Sequence, residues 1–426
     1  MSFTILHGNN LDILPTLSDN SVDSIVTDPP YELGFMGKKW DSSGIAYSVE
    51  LWTECLRVLK PGGHLLSFGG TRTYHRVAVA IEDAGFEIRD NMAWLYGSGF
   101  PKSLDVSKAI DKSAGAERRV LGKKEWSNSE NHFTPGQDHT KRVNLDITAP
   151  STPEAQQWNG WGTALKPAHE PIIVARKPLI GTVAHNVLTH GTGALNIDGS
   201  RIGHNEPIKI MKAQNQESKG FGQSIGRSEE TTELSAKGRF PANIILDEHT
   251  AGLLDEQSGL SKSTDSVRNN SARQSNSFGA SVNHTGLGHS DSGGASRFFY
   301  VAKASKRDRN EGLDGLPKSQ PVGGADKWTE TNRRRGEGVT REPSSNFHPT
   351  VKPTALMEYL VKLVTPPNGT VLDPFTGSGS TGKAAILNGF DFIGIEMTED
   401  YLPIIKARLQ HAETEFAEAH ADKGLF

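Results

Sequence analysis

The chain has almost no cysteine. Cys55 is alone among 426 residues, so an internal disulfide is impossible and a cysteine-based zinc site is disfavoured, which fits a reducing cytoplasm. It lies in an amphipathic helical pattern, "ELWTECLRVLKPGG", and is read there as a small buried hydrophobe. No basic-apolar leader opens the sequence, and no apolar run approaches the length that spans a bilayer. A soluble cytoplasmic protein without membrane contact is therefore expected. An excess of charge of one sign is also lacking: the net is −4, which by itself advertises no polyanionic partner.

Glycine, by contrast, is abundant at 45 residues, and mean hydropathy is −0.48, so loops should be extensive. The charge is uneven. Residues 297–341 carry eleven Lys/Arg against six Asp/Glu, including Lys306, Arg307 and the run Arg333-Arg334-Arg335. This basic stretch points weakly to a polyanion, and on charge alone a solvated flexible loop is the favoured reading.

Residues 1–112 read as alternating strands and helices, which implies a largely parallel sheet with helices on its faces. "FTILHG", "VDSIVTDPP", "HLLSFGG" and "EIRDNMAWLYG" are strands. "VELWTECLRVLKPGG" and "TYHRVAVAIEDAGF" are helices that stop at Pro61-Gly62-Gly63 and Gly85. The same pattern resumes at Thr350 and runs to the end. Between them, 113–345 is irregular, with strand-like "PIIVARKPL" and "RFPANIILD", and "GALNIDGSRIG" as an extended segment with a turn. Nineteen of the 36 residues in 261–296 are Ser, Gly or Asn, the composition of a flexible loop. The expected architecture is one α/β domain made from 1–112 and 346–426, with 113–345 inserted as a separate recognition unit.

Two glycine-rich readings compete in "TVLDPFTGSGSTGKAA", residues 370–385. Gly377 to Lys383 spells G-x-x-x-x-G-K, but Ala384 stands where a P-loop needs a magnesium-binding hydroxyl. The alternative uses more residues. A strand ends in Asp373, a Phe375-Thr376-Gly377-Ser378-Gly379 turn follows, and nineteen residues after Gly377 the next strand ends in Glu396. An acid in that place can accept hydrogen bonds from both ribose hydroxyls of a nucleoside. On this reading Lys383 is a surface helix residue, and the ligand is S-adenosylmethionine, NAD or FAD.

The choice among these falls to Asp28-Pro29-Pro30-Tyr31, which follows a buried strand. An exocyclic amine of a nucleic-acid base is flat because its lone pair is delocalised into the ring. Acceptors on both N–H groups, the Asp28 carboxylate and the Pro29 carbonyl, would free that lone pair for methyl transfer. Tyr31 offers a face on which an extruded base can stack, worth roughly 1–3 kcal/mol. Such catalysis is positioning and electrostatics without a covalent nucleophile. Methylation at cytosine C5 would need a thiolate, and Cys55 has no suitable loop.

With D-P-P-Y first and F-x-G-x-G last, the chain resembles the β-class amino-methylating DNA methyltransferases, whose target-recognition region lies between these motifs. "NFHPTVKP", residues 346–353, is similar to the H-P-x-x-K-P signature preceding the donor motif in that family. "RVLKPGGHLLSFGG" resembles the family's segment after the catalytic strand, and "GWGTALKPAHEPIIVARKPL", "GRFPANIILD" and "RFFYVAKASKRDR" look like segments of phage- and prophage-type members. The resemblance implies a circularly permuted, Rossmann-like methyltransferase sheet. It implies S-adenosylmethionine as donor, held by the Gly377 loop, Glu396, His348 and Lys352, with Lys352 facing the donor's carboxylate. Members commonly have Gly-Asp after the first strand, where this chain has Gly8-Asn9; Asn9 is expected on the donor's adenine. The resemblance further implies double-stranded DNA as substrate and a homodimer. D-P-P-Y in this family usually goes with adenine N6, and cytosine N4 stays open beside it. A nucleoside-triphosphatase with a degenerate P-loop and a non-catalytic DNA-binding module are the readings from other classes.

Several residues receive plain structural readings: His64 as a strand-end histidine, Trp158/Trp161 and Phe298/Phe299 as core or hinge packing, and His169 and Glu170 as residues without a metal.

Overall fold

The computed structural model describes residues 1–33, 39–97, 99, 103–126, 143–203, 208–211, 231–234, 238–262, 291–303, 308–318 and 345–421. Its centre is a nine-stranded sheet. In chain order the strands are β1 Phe3–His7, β2 Val22–Thr27, β3 Leu59–Phe68, β4 Glu87–Leu95, β5 His169–Arg176, β6 Ile244–Asp247, β7 Tyr300–Ala302, β8 Thr370–Asp373 and β9 Asp391–Glu396. Across the sheet they run β1-β9-β8-β2-β3-β5-β4-β6-β7. Strands β8 and β9, from the end of the chain, thus lie between β1 and β2, so the two terminal segments complete one sheet. All neighbours pair in parallel except β5, which is antiparallel to both β3 and β4.

Strand β2 explains why the site can be placed accurately. All six of its residues are buried, as expected of a central parallel strand covered on both faces. Ile25, Leu65 and Leu372 face one core cluster, with Trp52 and Val77 from the helices Val49–Val58 and Tyr74–Asp83. Their neighbours Val26, Leu66 and Val371 face the other, with helices Thr354–Val364 and Ser380–Leu387. The buried polar groups of β2 are each paired, as burial demands. Asp23 takes Lys60 Nζ at 2.6 Å and the Thr370 amide at 2.9 Å. Ser24 Oγ meets Thr365 Oγ1 at 2.8 Å, and Thr27 donates to Asp373 at 2.6 Å. Strand β2 is therefore tied to β8 by side chains as well as by its ladder.

The middle of the chain departs from expectation. Residues 113–345, expected as a separate unit, supply three of the nine strands, β5, β6 and β7. The apolar stretches "PIIVA" and "IIL" can be covered on both faces only inside such a sheet. Segment 113–157 is less irregular than expected, since Val120–Trp126 pairs antiparallel with Val143–Thr148 and Pro153–Gln157 is helical. The "KPGG" stop also acts early: the helix ends at Val58 and β3 begins at Leu59, because Pro61 disfavours helical backbone at Lys60. Of the expected flexible loop 261–296, only Ser261–Lys262 and residues from Asp291 onward are described, and there Ser261–Lys262 pairs with Ser292–Gly293. Lys306, Arg307 and Arg333–Arg335 lie outside the described residues.

Candidate active site

The parallel strands β1, β9, β8 and β2 end at one edge, where they deliver Asn9, Glu396, Asp373 and Asp28. These residues, Pro29, Pro30, Tyr31, His348, Lys352 and the Phe375–Ser378 turn line one cavity of about 1200 Å³. The two motifs read from opposite ends of the chain therefore face a common space.

On one side is the glycine turn. Gly377 (φ 56°) and Gly379 (φ 78°) both have left-handed backbone. Gly379 then caps helix Ser380–Leu387. A Cβ on Gly377 would lie 2.9 Å from His348 Nε2, so the H-P-x-x-K-P segment packs directly on the turn. Glu396 Oε2 accepts the Gly377 amide at 2.8 Å and Oε1 the Thr398 amide at 2.7 Å. The acid expected to meet a ribose thus also fixes the turn. Burial raises its pKa, against the pull of those two amides. Asp373 Oδ1 takes the Thr27 hydroxyl at 2.6 Å and the Phe375 amide at 3.0 Å. Burial pushes Asp373 up to about 6 despite these bonds. Asn9 Oδ1 accepts the Leu11 amide at 3.2 Å and caps the short helix Asn10–Ile13 at the cavity wall.

Behind the turn sits a brace with no sequence signature. Arg408 is fully buried and donates to the Ser378 carbonyl at 2.5 Å and the Ser380 hydroxyl at 3.3 Å, with the Asp308 carbonyl at 3.0 Å on its other arm. Burial lowers it to about 10, where it stays a cation at neutral pH. Lys383 is a correction. Expected on the surface, it is 2% exposed and pairs with Glu311 at 2.6 Å. Helix Ser380–Leu387 is covered by neighbours, with seven of its eight residues buried, and a lysine there needs a carboxylate. It is not a phosphate clamp.

On the other side is the D-P-P-Y turn. Asp28 Oδ2 receives Lys352 Nζ at 2.7 Å, while Asp28 Oδ1 is buried with no hydrogen-bond partner among the described residues. The same Nζ lies 3.1 Å from the Tyr31 hydroxyl and 3.1 Å from Glu170 Oε2. The Tyr31 hydroxyl in turn donates to Glu170 at 2.9 Å. Thr73 holds the Tyr31 carbonyl at 2.9 Å. Burial, then the Asp28 and Glu170 carboxylates, push the Tyr31 phenol well above its ordinary range. Burial alone would lower Lys352, but the Asp28 and Glu170 carboxylates outweigh it and hold the ammonium above its usual value. Lys352 was expected to face the donor's carboxylate; its ammonium instead joins two carboxylates of the protein.

Glu170 is the residue that sequence reading missed. Because β5 runs antiparallel, its beginning lies at the edge where its parallel neighbour β3 ends, and Glu170 enters the cavity there. The plain reading of Cys55 holds, since it is wholly buried with its thiol pushed up by burial; His64, expected at a strand end, lies inside β3, 4% exposed, with burial lowering it to about 4. The aromatic pairs do not behave as core. Trp158 and Trp161 pack edge to face at 5.1 Å on the surface. Phe298 is half-exposed under Arg239 and Arg297.

A nine-stranded, mostly parallel sheet with the left-handed Gly377 turn and the D-P-P-Y turn at one edge has the architecture of the Rossmann-like methyltransferase class. Residues 22–407 match the N6_N4_Mtase model, described as DNA methylase, and the chain belongs to that family. It is 38% identical over 89 residues to the type II methyltransferase M2.LlaDCHI of Lactococcus lactis subsp. cremoris, covering 21% of this chain and 31% of that one. It is 44% identical over 71 residues to the DNA adenine methyltransferase YhdJ of Escherichia coli K12, covering 17% and 24%. The matched stretches thus span about a third or less of these two relatives. Among solved structures, the M1.HpyAVI–SAM complex is similar at 15% identity and TM-score 0.38, covering 96% of this chain and 98% of that one. The cytosine-N4-specific PvuII DNA methyltransferase is similar at 12% identity and TM-score 0.43, covering 98% and 93%.

Proposed function

We propose that this chain transfers a methyl group from S-adenosylmethionine to the exocyclic N6 amine of an adenine turned out of double-stranded DNA. The observation that carries the proposal is Asp28 Oδ1, a buried acceptor without a partner among the described residues, on a side chain that lines the same cavity as the Gly377 turn and Glu396. A buried acceptor left unmatched costs about 1–3 kcal/mol, and an amine hydrogen placed there would recover that cost.

The donor supplies an electrophilic methyl group on a sulfonium, so the C–S bond breaks as the C–N bond forms and the nitrogen afterwards gives up one proton. The residues present suit that donor. Glu396, at the end of β9, would accept the ribose hydroxyls, the left-handed Gly377 turn allows close backbone approach, and Asn9, on the same cavity wall, would meet the adenine. Asp28 and the Pro29 carbonyl would accept the two amine hydrogens and pull the nitrogen out of conjugation. Tyr31 would supply the stacking face, with its hydroxyl fixed by Glu170 and Lys352. Because an amine on cytosine offers the same two hydrogens, cytosine N4 is the second substrate this geometry serves, and the D-P-P-Y resemblance favours adenine. Modification-sensitive sequencing of DNA from cells expressing the chain tests this. N6-methyladenine at a recurring site is expected, N4-methylcytosine would replace the adenine assignment, and no new modified base would refute the proposal.

A further inference from the structure

We infer that Glu170 is a positioning residue of the methyl-transfer centre, acting through Lys352 and Tyr31 to keep the surroundings of Asp28 anionic. The inference rests on the methyltransferase reading and deepens it.

Lys352 alone would blunt Asp28. Its ammonium lies 2.7 Å from Asp28 Oδ2, and that pair by itself sums to zero charge. A nitrogen that gains positive charge as it is methylated would then face a neutralised acceptor. Glu170 Oε2, at 3.1 Å from the same ammonium, restores one negative charge to the cluster. The side chains of Lys352, Asp28 and Glu170 are 9%, 22% and 19% exposed, so water screens this charge only weakly. A preorganised negative field where positive charge develops lowers the barrier without strengthening ground-state binding.

The same carboxylate fixes geometry. Accepting the Tyr31 hydroxyl at 2.9 Å while holding Lys352, Glu170 locks the stacking ring and the lysine together. Lys352 then holds Asp28 by Oδ2 and leaves Oδ1 for the substrate. Glu170 touches neither motif's reacting atoms, which is why its effect should fall on rate rather than on donor affinity.

The test compares Glu170→Gln, which keeps the shape and loses the charge, with Glu170→Asp, which keeps the charge on a shorter arm. Single-turnover methylation of duplex DNA and calorimetric titration of S-adenosylmethionine are measured for each, alongside the unsubstituted protein. The expected result is a rate at least tenfold lower for Glu170→Gln, a donor Kd within twofold, and partial recovery in Glu170→Asp. If Glu170→Gln does not fold, Tyr31→Phe carries the test, with a severalfold lower rate and unchanged donor Kd expected. A rate within twofold of the unsubstituted protein, or a rate loss matched by loss of donor affinity, would overturn the role. Failure of the unsubstituted protein to methylate DNA would instead count against the methyltransferase reading.

Discussion

Lys352 and Asp28 stand 324 positions apart in the chain, yet Lys352 Nζ donates to Asp28 Oδ2 at 2.7 Å. This bond joins the H-P-x-x-K-P segment to the D-P-P-Y turn and leaves Asp28 Oδ1 as an acceptor with no partner among the described residues. Asp28→Ala should therefore abolish the acceptor while leaving the Gly377 side of the cavity intact. Methyl transfer is expected to fall by about 10²–10³, the usual loss when a preorganised transition-state partner is removed. Donor affinity measured by calorimetry should stay within a few-fold.

Gly377→Ala should act in the opposite way. The residue has φ 56°, and a Cβ would come within 2.9 Å of His348 Nε2. Left-handed backbone costs a non-glycine residue roughly 1–2 kcal/mol. Donor Kd should rise about tenfold, a change of about 1.4 kcal/mol, with the rate at saturating donor changing less.

Lys383→Met separates the methyl-donor reading from a P-loop reading. The side chain is 2% exposed and paired with Glu311 at 2.6 Å. Losing the pair should lower stability by about 1–3 kcal/mol, below the range for a fully buried pair because Glu311 is partly exposed. A thermal melt should show the loss, whereas calorimetry should show unchanged affinity for S-adenosylmethionine. A selective loss of nucleotide binding would contradict this assignment.

Asp373 makes a pH-dependent contribution of definite sign. Its pKa is raised from 3.8 to about 6 in the folded protein by burial, so the native state binds its proton more tightly than the unfolded chain does. That contribution is favourable below the unfolded value and is lost as pH rises from about 4 through about 6. In Asp373→Asn it is missing. Melting temperatures of both proteins from pH 4 to 7 should therefore converge or cross in the variant's favour as pH rises, and parallel curves would contradict the assignment.

Much of this site was legible because its parts are local. Asp28 and the Gly377 turn each follow a short apolar strand, and the strand–turn pattern places both at the same sheet edge wherever the strands sit. What is built from distant segments was not legible. Glu170 reaches the site only because β5 is inserted antiparallel between β3 and β4, and nothing in "KPAHEP" encodes that neighbour order. Lys383 looked like a surface residue because a nucleoside turn needs no cationic phosphate clamp. Here the helix is covered, and the compensating Glu311 lies 72 positions earlier. Arg408 is similar, a cation that braces the Ser378 carbonyl from thirty residues away. Sheet membership of the middle segment was hidden for another reason: its short strands β6 and β7 are separated by long polar stretches that read as loop.

The central claim is that Asp28 and the Gly377 turn act on one base amine in one cavity. Incubating the purified protein with duplex DNA and S-adenosylmethionine labelled in its methyl group, then digesting the DNA to nucleosides for mass spectrometry, tests it directly. The account predicts label on N6 of deoxyadenosine with the unsubstituted protein and a rate of labelling lower by about 10²–10³ with Asp28→Ala. Label on C5 of deoxycytidine, or equal labelling by both proteins, would contradict it.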